Sequence, residues 1–208
     1  MCYFLEVNFK GKKHKLKFSS KEALEEFRDR GEINGFELGR IPVVYNDTPN
    51  SMDVGKWGLI PFWSKDDSFA RNTLNAKIET IHEKPSFKNY TNNRCLIPVT
   101  AFFEWKWLDD KGKQKQKYRI HTPDGEIFAL AGIWAEDKKG DRTLSIVTTE
   151  ANTLMAEIHN NKKRMPVVLK EEEYEHWLQG GSFDDFKDRS ETELIAVPVE
   201  LNPVQTLF

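Results

Sequence analysis

Cys2 stands directly after Met1. With Met1 removed, residue 2 carries a free α-amine beside its thiol, and a 1,2-aminothiol does what an ordinary cysteine cannot. Its amine condenses with an aldehyde to an imine, and its thiolate closes on the imine carbon to give a five-membered thiazolidine. An α-amine with a reference pKa of about 7.7–8.0 is roughly one-tenth neutral at pH 7. A neighbouring carboxylate or imidazole would raise that reactivity. By position alone, Cys2 also fits a small apolar residue packed at the start of a strand.

Glu104 lies in the apolar run Phe102-Phe103-Glu104-Trp105. If Phe103 and Trp105 face one side, Phe102 and Glu104 share the other. A carboxylate there is paired, exposed on a one-sided sheet, or catalytic, and burial would raise its pKa toward general acid–base work. His159 ends a short helical stretch ahead of Asn160-Asn161-Lys162-Lys163-Arg164, where a helix cap is the simpler role. Asn75 lies in Asn75-Ala76-Lys77-Ile78-Glu79, within an irregular segment where asparagine usually makes turns.

Other chemistries find no support. His14, His82, His121 and His176 have no metal-ligand spacing, and Cys2 and Cys95 are too few for a zinc site or a disulfide framework. A serine-hydrolase elbow, a P-loop and a Gly-x-Gly-x-x-Gly fingerprint are absent. Trp57, Trp63, Trp105 and Trp107 read more readily as core than as base-stacking platforms.

These residues must be held by an antiparallel framework. Residues 3–9 and 14–18 read as strands, and Ser19 with Glu22 forms a capping box opening a helix with Ala23, Leu24 and Phe27 inward, stopped by Gly31. Residues 41–45 and 56–60 read as strands, with Pro42 and Pro61 marking edges or ends. Residues 64–93 are polar and irregular, a loop length that is usually functional or disordered. Residues 94–107 read as one strand, followed by strands at 115–121, 127–135 and 143–149, so that 94–149 forms an antiparallel meander. A short helix at 151–158, a strand at 165–169, a helix at 171–178 with Tyr174, Trp177 and Leu178 inward, and a strand at 194–199 complete the chain. The expected fold is α+β: one domain over residues 1–208, with a curled, barrel-like antiparallel sheet and a few short peripheral helices.

Composition agrees with a folded chain. Of 208 residues, 38% are hydrophobic, and 14 Phe, 6 Trp and 5 Tyr supply enough aromatic mass for a core. No apolar stretch is long enough to span a bilayer and no signal-peptide pattern opens the chain, so a reduced, cytoplasmic setting is expected. Net charge is −2, which gives no global attraction to nucleic acid. Basic residues nevertheless cluster, at Lys10, Lys12, Lys13, Lys15 and Lys17 and at Lys111, Lys113, Lys115, Lys117 and Arg119. Either run is one basic face or a solvated hairpin.

An ordered set of motifs joins these candidates. It comprises Cys2, Trp57-Gly58-Leu59-Ile60-Pro61-x-Trp63, Asn75-Ala76-Lys77-Ile78-Glu79, Glu83-Lys84-Pro85-Ser86-Phe87, Arg94-Cys95-Leu96-Ile97-Pro98, Phe103-Glu104-Trp105, Ala131-Gly132-Ile133-Trp134, Thr148-Thr149-Glu150-Ala151-Asn152 and Arg164-Met165-Pro166-Val167. Together they resemble the SOS response-associated peptidase (SRAP) family of abasic-site processing proteins, from Cys2 to about Asn202. The resemblance implies a cysteine-dependent protein that binds single-stranded DNA, captures the ring-opened abasic sugar as a thiazolidine and removes its own Met1. It implies Cys2 as nucleophile, Asn75 as a hydrogen-bonding holder of the N-terminal amine or sugar hydroxyl, Glu104 as acid–base group and His159 as proton shuttle in ring opening. Trp105 would stack at the DNA kink, and Lys77 and Arg164 would hold phosphates.

Several positions depart from the family pattern. Cys2-Tyr3-Phe4 replaces Cys-Gly-Arg, removing one arginine. Asn34-Gly35-Phe36-Glu37 lacks the usual proline. Lys77 replaces an arginine, losing a bidentate fork. A longer insert separates His159 from Arg164. The expected protein is a monomer that acts on single-stranded DNA with abasic sites, without cofactor, metal or membrane. A cysteine hydrolase acting on peptides in trans, and a non-catalytic single-strand-binding module, are the competing readings.

Overall fold

Chain reversals at short turns lay most of this sequence into strands, and the computed structural model describes residues 1–12 and 21–200. The first elements are β1 (Phe4–Val7), α1 (Lys21–Arg28), β2 (Gly31–Asn34), β3 (Arg40–Tyr45) and β4 (Asp53–Trp57). The expected strand at 14–18 and the cap at Ser19 lie outside the described residues. Phe27 is fully buried, as its spacing requires. The helix stops at Arg28, before Gly31. Gly31 takes φ 77°, which a glycine adopts without a Cβ penalty, and opens β2 instead.

A polar stretch with 3₁₀ turns follows, and it contains one short strand, β5 (Asn75–Lys77). Residues 64–93 are therefore not wholly irregular. Next come β6 (Arg94–Val99), β7 (Ala101–Trp107), β8 (Lys115–His121), β9 (Phe128–Glu136) and β10 (Arg142–Glu150). The chain ends with α2 (Thr153–Ile158), β11 (Arg164–Pro166), β12 (Val168–Leu169), α3 (Tyr174–Leu178) and β13 (Ile195–Pro198).

Five of the described strands close into a barrel. β3 pairs antiparallel with β4 and β6, β6 with β9, and β9 with β10, and a parallel β10–β4 pairing shuts the ring. β5 and β11 extend β10, parallel and antiparallel respectively, while β12 extends β9. A second sheet runs β13-β8-β7-β1-β2, antiparallel throughout. Pro42 pairs on one side only, with Val54 of β4, and so holds a locally open edge of β3. Its pairing with β6 begins only at Val44.

Residues 94–107 are two strands in two sheets. The chain changes sheet at Thr100, whose N–H donates to Glu6 O (2.9 Å) and whose hydroxyl donates to the Glu6 carboxylate (3.0 Å). The expected single meander over 94–149 is thus split: β7 and β8 belong to one sheet, and β6, β9 and β10 to the barrel. Likewise 165–169 divides into β11 and β12 with different partners. The reason is closure. The ring takes up only Arg94–Val99, and the largely apolar sequence continues into the neighbouring sheet from Ala101.

The core lies inside the barrel and between it and the second sheet. Trp57, Phe102, Tyr45 and Trp177 are fully buried, and Trp57 and Trp177 satisfy their indole N–H groups on Leu74 O and Cys95 O. Burying such a side chain contributes about 1.5–3 kcal/mol. Tyr174 and Leu178 are only half-buried beside Trp177. No described helix is long and apolar enough to cross a membrane.

Candidate active site

The start of the chain enters the seam between barrel and sheet, because β1 pairs with β7 from Phe4↔Phe103 onward. One residue past that pair, Glu104 comes beside the first residues. Cys2 is fully buried, with Sγ 3.8 Å from Phe4 O. From the barrel side, β5 brings Asn75, whose Nδ2 donates to Cys2 O at 2.8 Å.

His159 arrives by a third route. Asn152 caps α2 through Met155 N (2.9 Å), and His159 closes the helix with its own N–H on Met155 O (2.8 Å). The backbone of His159 is therefore a helix cap, and its side chain is free to serve the site. The insert that follows docks on β7. Asn160 donates to Trp107 O (2.9 Å) and accepts from Trp107 N (3.1 Å), which pins the helix end to the strand that carries Glu104. Lys163 turns the chain back with φ 50°.

Two of these side chains, His159 and Glu104, flank one α-amine. Met1 N lies 3.1 Å from the His159 ring nitrogens and 3.4 Å from Glu104 Oε1. His159 Nδ1 donates to Arg164 O at 2.8 Å. That leaves the lone pair on Nε2, while the amine lies equally close to both ring nitrogens. Burial, then the charged amine, pushes the imidazole down to about 4, so it is neutral at pH 7. Burial pushes the Glu104 carboxyl up to about 7 against the pull of the amine. Burial also lowers the amine against the pull of Glu104. The Cys2 thiol is held well above its ordinary range by burial and then by Glu104. Asn75 Oδ1 and Glu104 Oε1 are both buried and accept no hydrogen bond.

The other candidates lie around this centre. Lys77 is exposed on β5, two residues from Asn75. Trp105 is half-buried, edge-on to Phe4 at 4.8 Å, with Lys117 Nζ 5.4 Å from its ring centroid. Arg164 is buried, and its guanidinium forks onto Glu79 (2.7 and 2.9 Å) and donates to Thr148 O (2.8 Å). Its donors therefore point into the protein rather than toward a phosphate. The basic run of β8 is partly neutralised: Lys117 pairs with Glu32 and Arg119 with Glu6. Sequence reasoning missed Glu79 and Asn160. Glu79 was visible only as the last residue of the Asn75 motif.

Among the described residues, no His, Cys, Asp and Glu group of three or more is arranged to hold a metal ion. A cavity of about 640 Å³ bounded by Phe128, Leu169, Tyr174 and Glu193 is lined by none of the four site residues. The amine centre is instead closed over by Met1 and by Tyr3, whose hydroxyl reaches Met1 Sδ at 3.7 Å.

The fold is thus a small barrel with a flanking sheet, and at their seam the Met1 amine sits beside a carboxyl and an imidazole, next to the buried Cys2 thiol. The SOS response associated peptidase (SRAP) family model matches residues 1–206, and the chain belongs to this family. It is 38% identical over 149 residues to Abasic site processing protein YoqW of Bacillus subtilis (strain 168), an alignment covering 69% of this chain and 64% of that protein. It is 37% identical over 166 residues to Abasic site processing protein YoaM of the same organism, covering 74% and 70%. An X-ray structure of a protein from Bacteroides thetaiotaomicron superposes with a TM-score of 0.82 at 30% identity, covering 96% of this chain and 92% of that one.

Proposed function

We propose that this protein captures abasic sites in single-stranded DNA as a covalent thiazolidine on Cys2, after removing Met1. The observation that carries the reading is the Met1 α-amine, one residue ahead of the buried Cys2, held 3.1 Å from a neutral imidazole and 3.4 Å from a carboxyl raised by burial to about 7, the groups near which a Cys2 amine would be freed once Met1 is cut. The names of the relatives point the same way.

Removal of Met1 hydrolyses the Met1–Cys2 amide and exposes the Cys2 amine beside the same groups. The neutral amine then adds to the aldehyde of the ring-opened sugar. His159 Nε2 takes a proton from the sugar hydroxyl during ring opening. Glu104, protonated in part near pH 7, gives a proton to the departing carbinol oxygen, and water leaves with formation of the imine. The thiol adds across the C=N bond, its proton passing to the ring nitrogen. The net change is aldehyde plus aminothiol giving thiazolidine plus one water.

The orphan acceptor Asn75 Oδ1 suits a hydroxyl donor of an opened sugar, since buried polar atoms without partners are rare. The chemistry orders the steps: the amine acts first, because the thiol closes the ring on the imine carbon that the amine creates. A reduced cytoplasmic setting and a monomer acting on one DNA strand fit this chemistry. Intact mass tests it. Incubation with an abasic-site oligonucleotide should give the mass of the chain without Met1 plus oligonucleotide less one water. Quantitative crosslinking by chains that keep Met1 would overturn the amine mechanism.

A further inference from the structure

We infer that Glu79 is a positioning residue for this centre: by clamping Arg164 across β10, it fixes the tautomer and placement of His159. The inference rests on the reading above for its kinetic arm only. Glu79 sits in the 3₁₀ turn Ile78–Thr80 that directly follows β5. β5 lies along β10 with Lys77 opposite Thr148, and β11 lies along β10 with Arg164 opposite Glu150. The Glu79–Arg164 fork, at 2.7 and 2.9 Å, therefore ties the strand carrying Asn75 to the strand that follows His159.

Arg164 passes this on through its main chain. Its carbonyl accepts from His159 Nδ1 at 2.8 Å, and its guanidinium is braced on Thr148 O at 2.8 Å. A ring nitrogen bonded to a carbonyl must carry the proton, so the opposite nitrogen presents a lone pair. Loss of the fork would leave a buried guanidinium with an unmatched charge, since its Nε already lacks a partner. The Arg164 strand would then shift, and the His159 tautomer with it. A phosphate reaching Arg164 would have to displace Glu79, so this arginine acts through His159 rather than on DNA.

The test uses the full chain and three variants: Glu79→Gln, which keeps shape and loses charge; Glu79→Asp, a conservative rescue; and Arg164→Lys, which keeps charge and loses the fork. Nitrogen NMR on histidine-labelled protein reads the His159 tautomer directly. Wild type should show protonated Nδ1 and bare Nε2, and Glu79→Gln a mixture. The adduct rate at saturating abasic-site DNA should fall about ten- to a hundredfold in Glu79→Gln and Arg164→Lys, the range for losing a partner that orients a histidine, and recover in part in Glu79→Asp. Affinity for an oligonucleotide bearing tetrahydrofuran, an abasic analogue without an aldehyde, should not weaken in Glu79→Gln. If Glu79→Gln does not fold, Arg164→Lys carries both arms. An unchanged His159 tautomer, or weaker DNA binding with an unchanged adduct rate, overturns the inference. A wild type that forms no adduct defeats the proposed function but leaves the tautomer result decisive for Glu79.

Discussion

The side-chain amide of Asn75 donates to the main-chain carbonyl of Cys2 at 2.8 Å, a contact between residues 73 positions apart. It is the link by which the barrel grips the start of the chain. Asn75→Ala removes the donor and leaves a carbonyl short of a partner, whereas Asn75→Asp puts a carboxylate against it. Adduct formation in a timed denaturing gel should slow in Asn75→Ala and slow further in Asn75→Asp. Equal rates for the two would mean that donation to Cys2 O is not what matters.

The two cysteines should separate completely. Cys2→Ala retains an amine and can form only a reversible imine, trappable with borohydride, so the heat-stable adduct should vanish. Cys95 is buried in β6 and its thiol is pushed up by burial. Cys95→Ala should keep the adduct, with a modest loss of stability. A heat-stable product from Cys2→Ala would refute the assignment.

Glu104 and His159 impose opposite pH dependences on stability. The folded Glu104 carboxyl titrates at about 7 against an ordinary 4.5, so between these values the folded chain holds a proton that the unfolded chain has released. Stability from this group falls as pH rises through that window. His159 titrates at about 4 against 6.5, so the unfolded chain holds the extra proton and stability rises with pH. The two oppose each other from 4.5 to 6.5. Glu104→Gln removes the first, leaves that of His159 and releases the pull on the Met1 amine, and should gain on wild type as pH rises from 5 to 8, by on the order of 3 kcal/mol from the carboxyl. Its adduct rate should drop about 10²–10⁴-fold. Urea midpoints at both pH values decide this; a constant difference between variant and wild type would contradict the burial of a titrating Glu104.

Exposed Lys77 stands two residues from Asn75 and is the natural phosphate contact among the proposed residues. Lys77→Glu should weaken binding to single-stranded DNA across sequences and lower the salt slope by about 1 or more. Fluorescence anisotropy over a salt series measures this, and an unchanged slope removes Lys77 from the path of the DNA.

Gly132 tests the barrel itself. A Cβ there would meet Cys95 Sγ at 2.7 Å, Ile97 Cδ1 at 2.8 Å and Ser145 O at 3.2 Å. Gly132→Ala should cost about 1–3 kcal/mol by overpacking, and the double variant with Cys95→Ala should recover part of it. No loss in the denaturant midpoint of the single variant would show that β6, β9 and β10 pack less tightly than described.

Much of the sheet was legible locally. The strands at 127–135 and 143–149 followed from apolar runs, and the one at 115–121 from its place between the turns at 109–112 and 123–125, because strand and turn propensities act within a few residues. β2 and β5 were not legible. Gly-Glu-Ile-Asn and Asn-Ala-Lys carry little strand preference of their own, and pairing with β1 and β10 makes them strands. The break at Thr100 was hidden for the opposite reason: both sides are apolar, and only the hydrogen bonds to Glu6 mark the change of sheet.

At the centre, residue type alone carried the chemistry of Cys2: an amine and a thiol on adjacent carbons make a thiazolidine wherever they meet an aldehyde. Only the resemblance to the SRAP family grouped Asn75, Glu104 and His159 with it, since their own local patterns read as a turn, a strand carboxylate and a helix cap. Tertiary structure decided their working states. Glu104 is raised by burial against the pull of the Met1 amine, and His159 is lowered by burial and then by that amine, and burial is a property of the packed chain. It decided as well that Arg164 faces inward onto Glu79, and that Asn160 anchors the insert to β7. Such contacts join residues more than 50 positions apart, where the energy comes from matching geometry and no periodicity in the sequence records it.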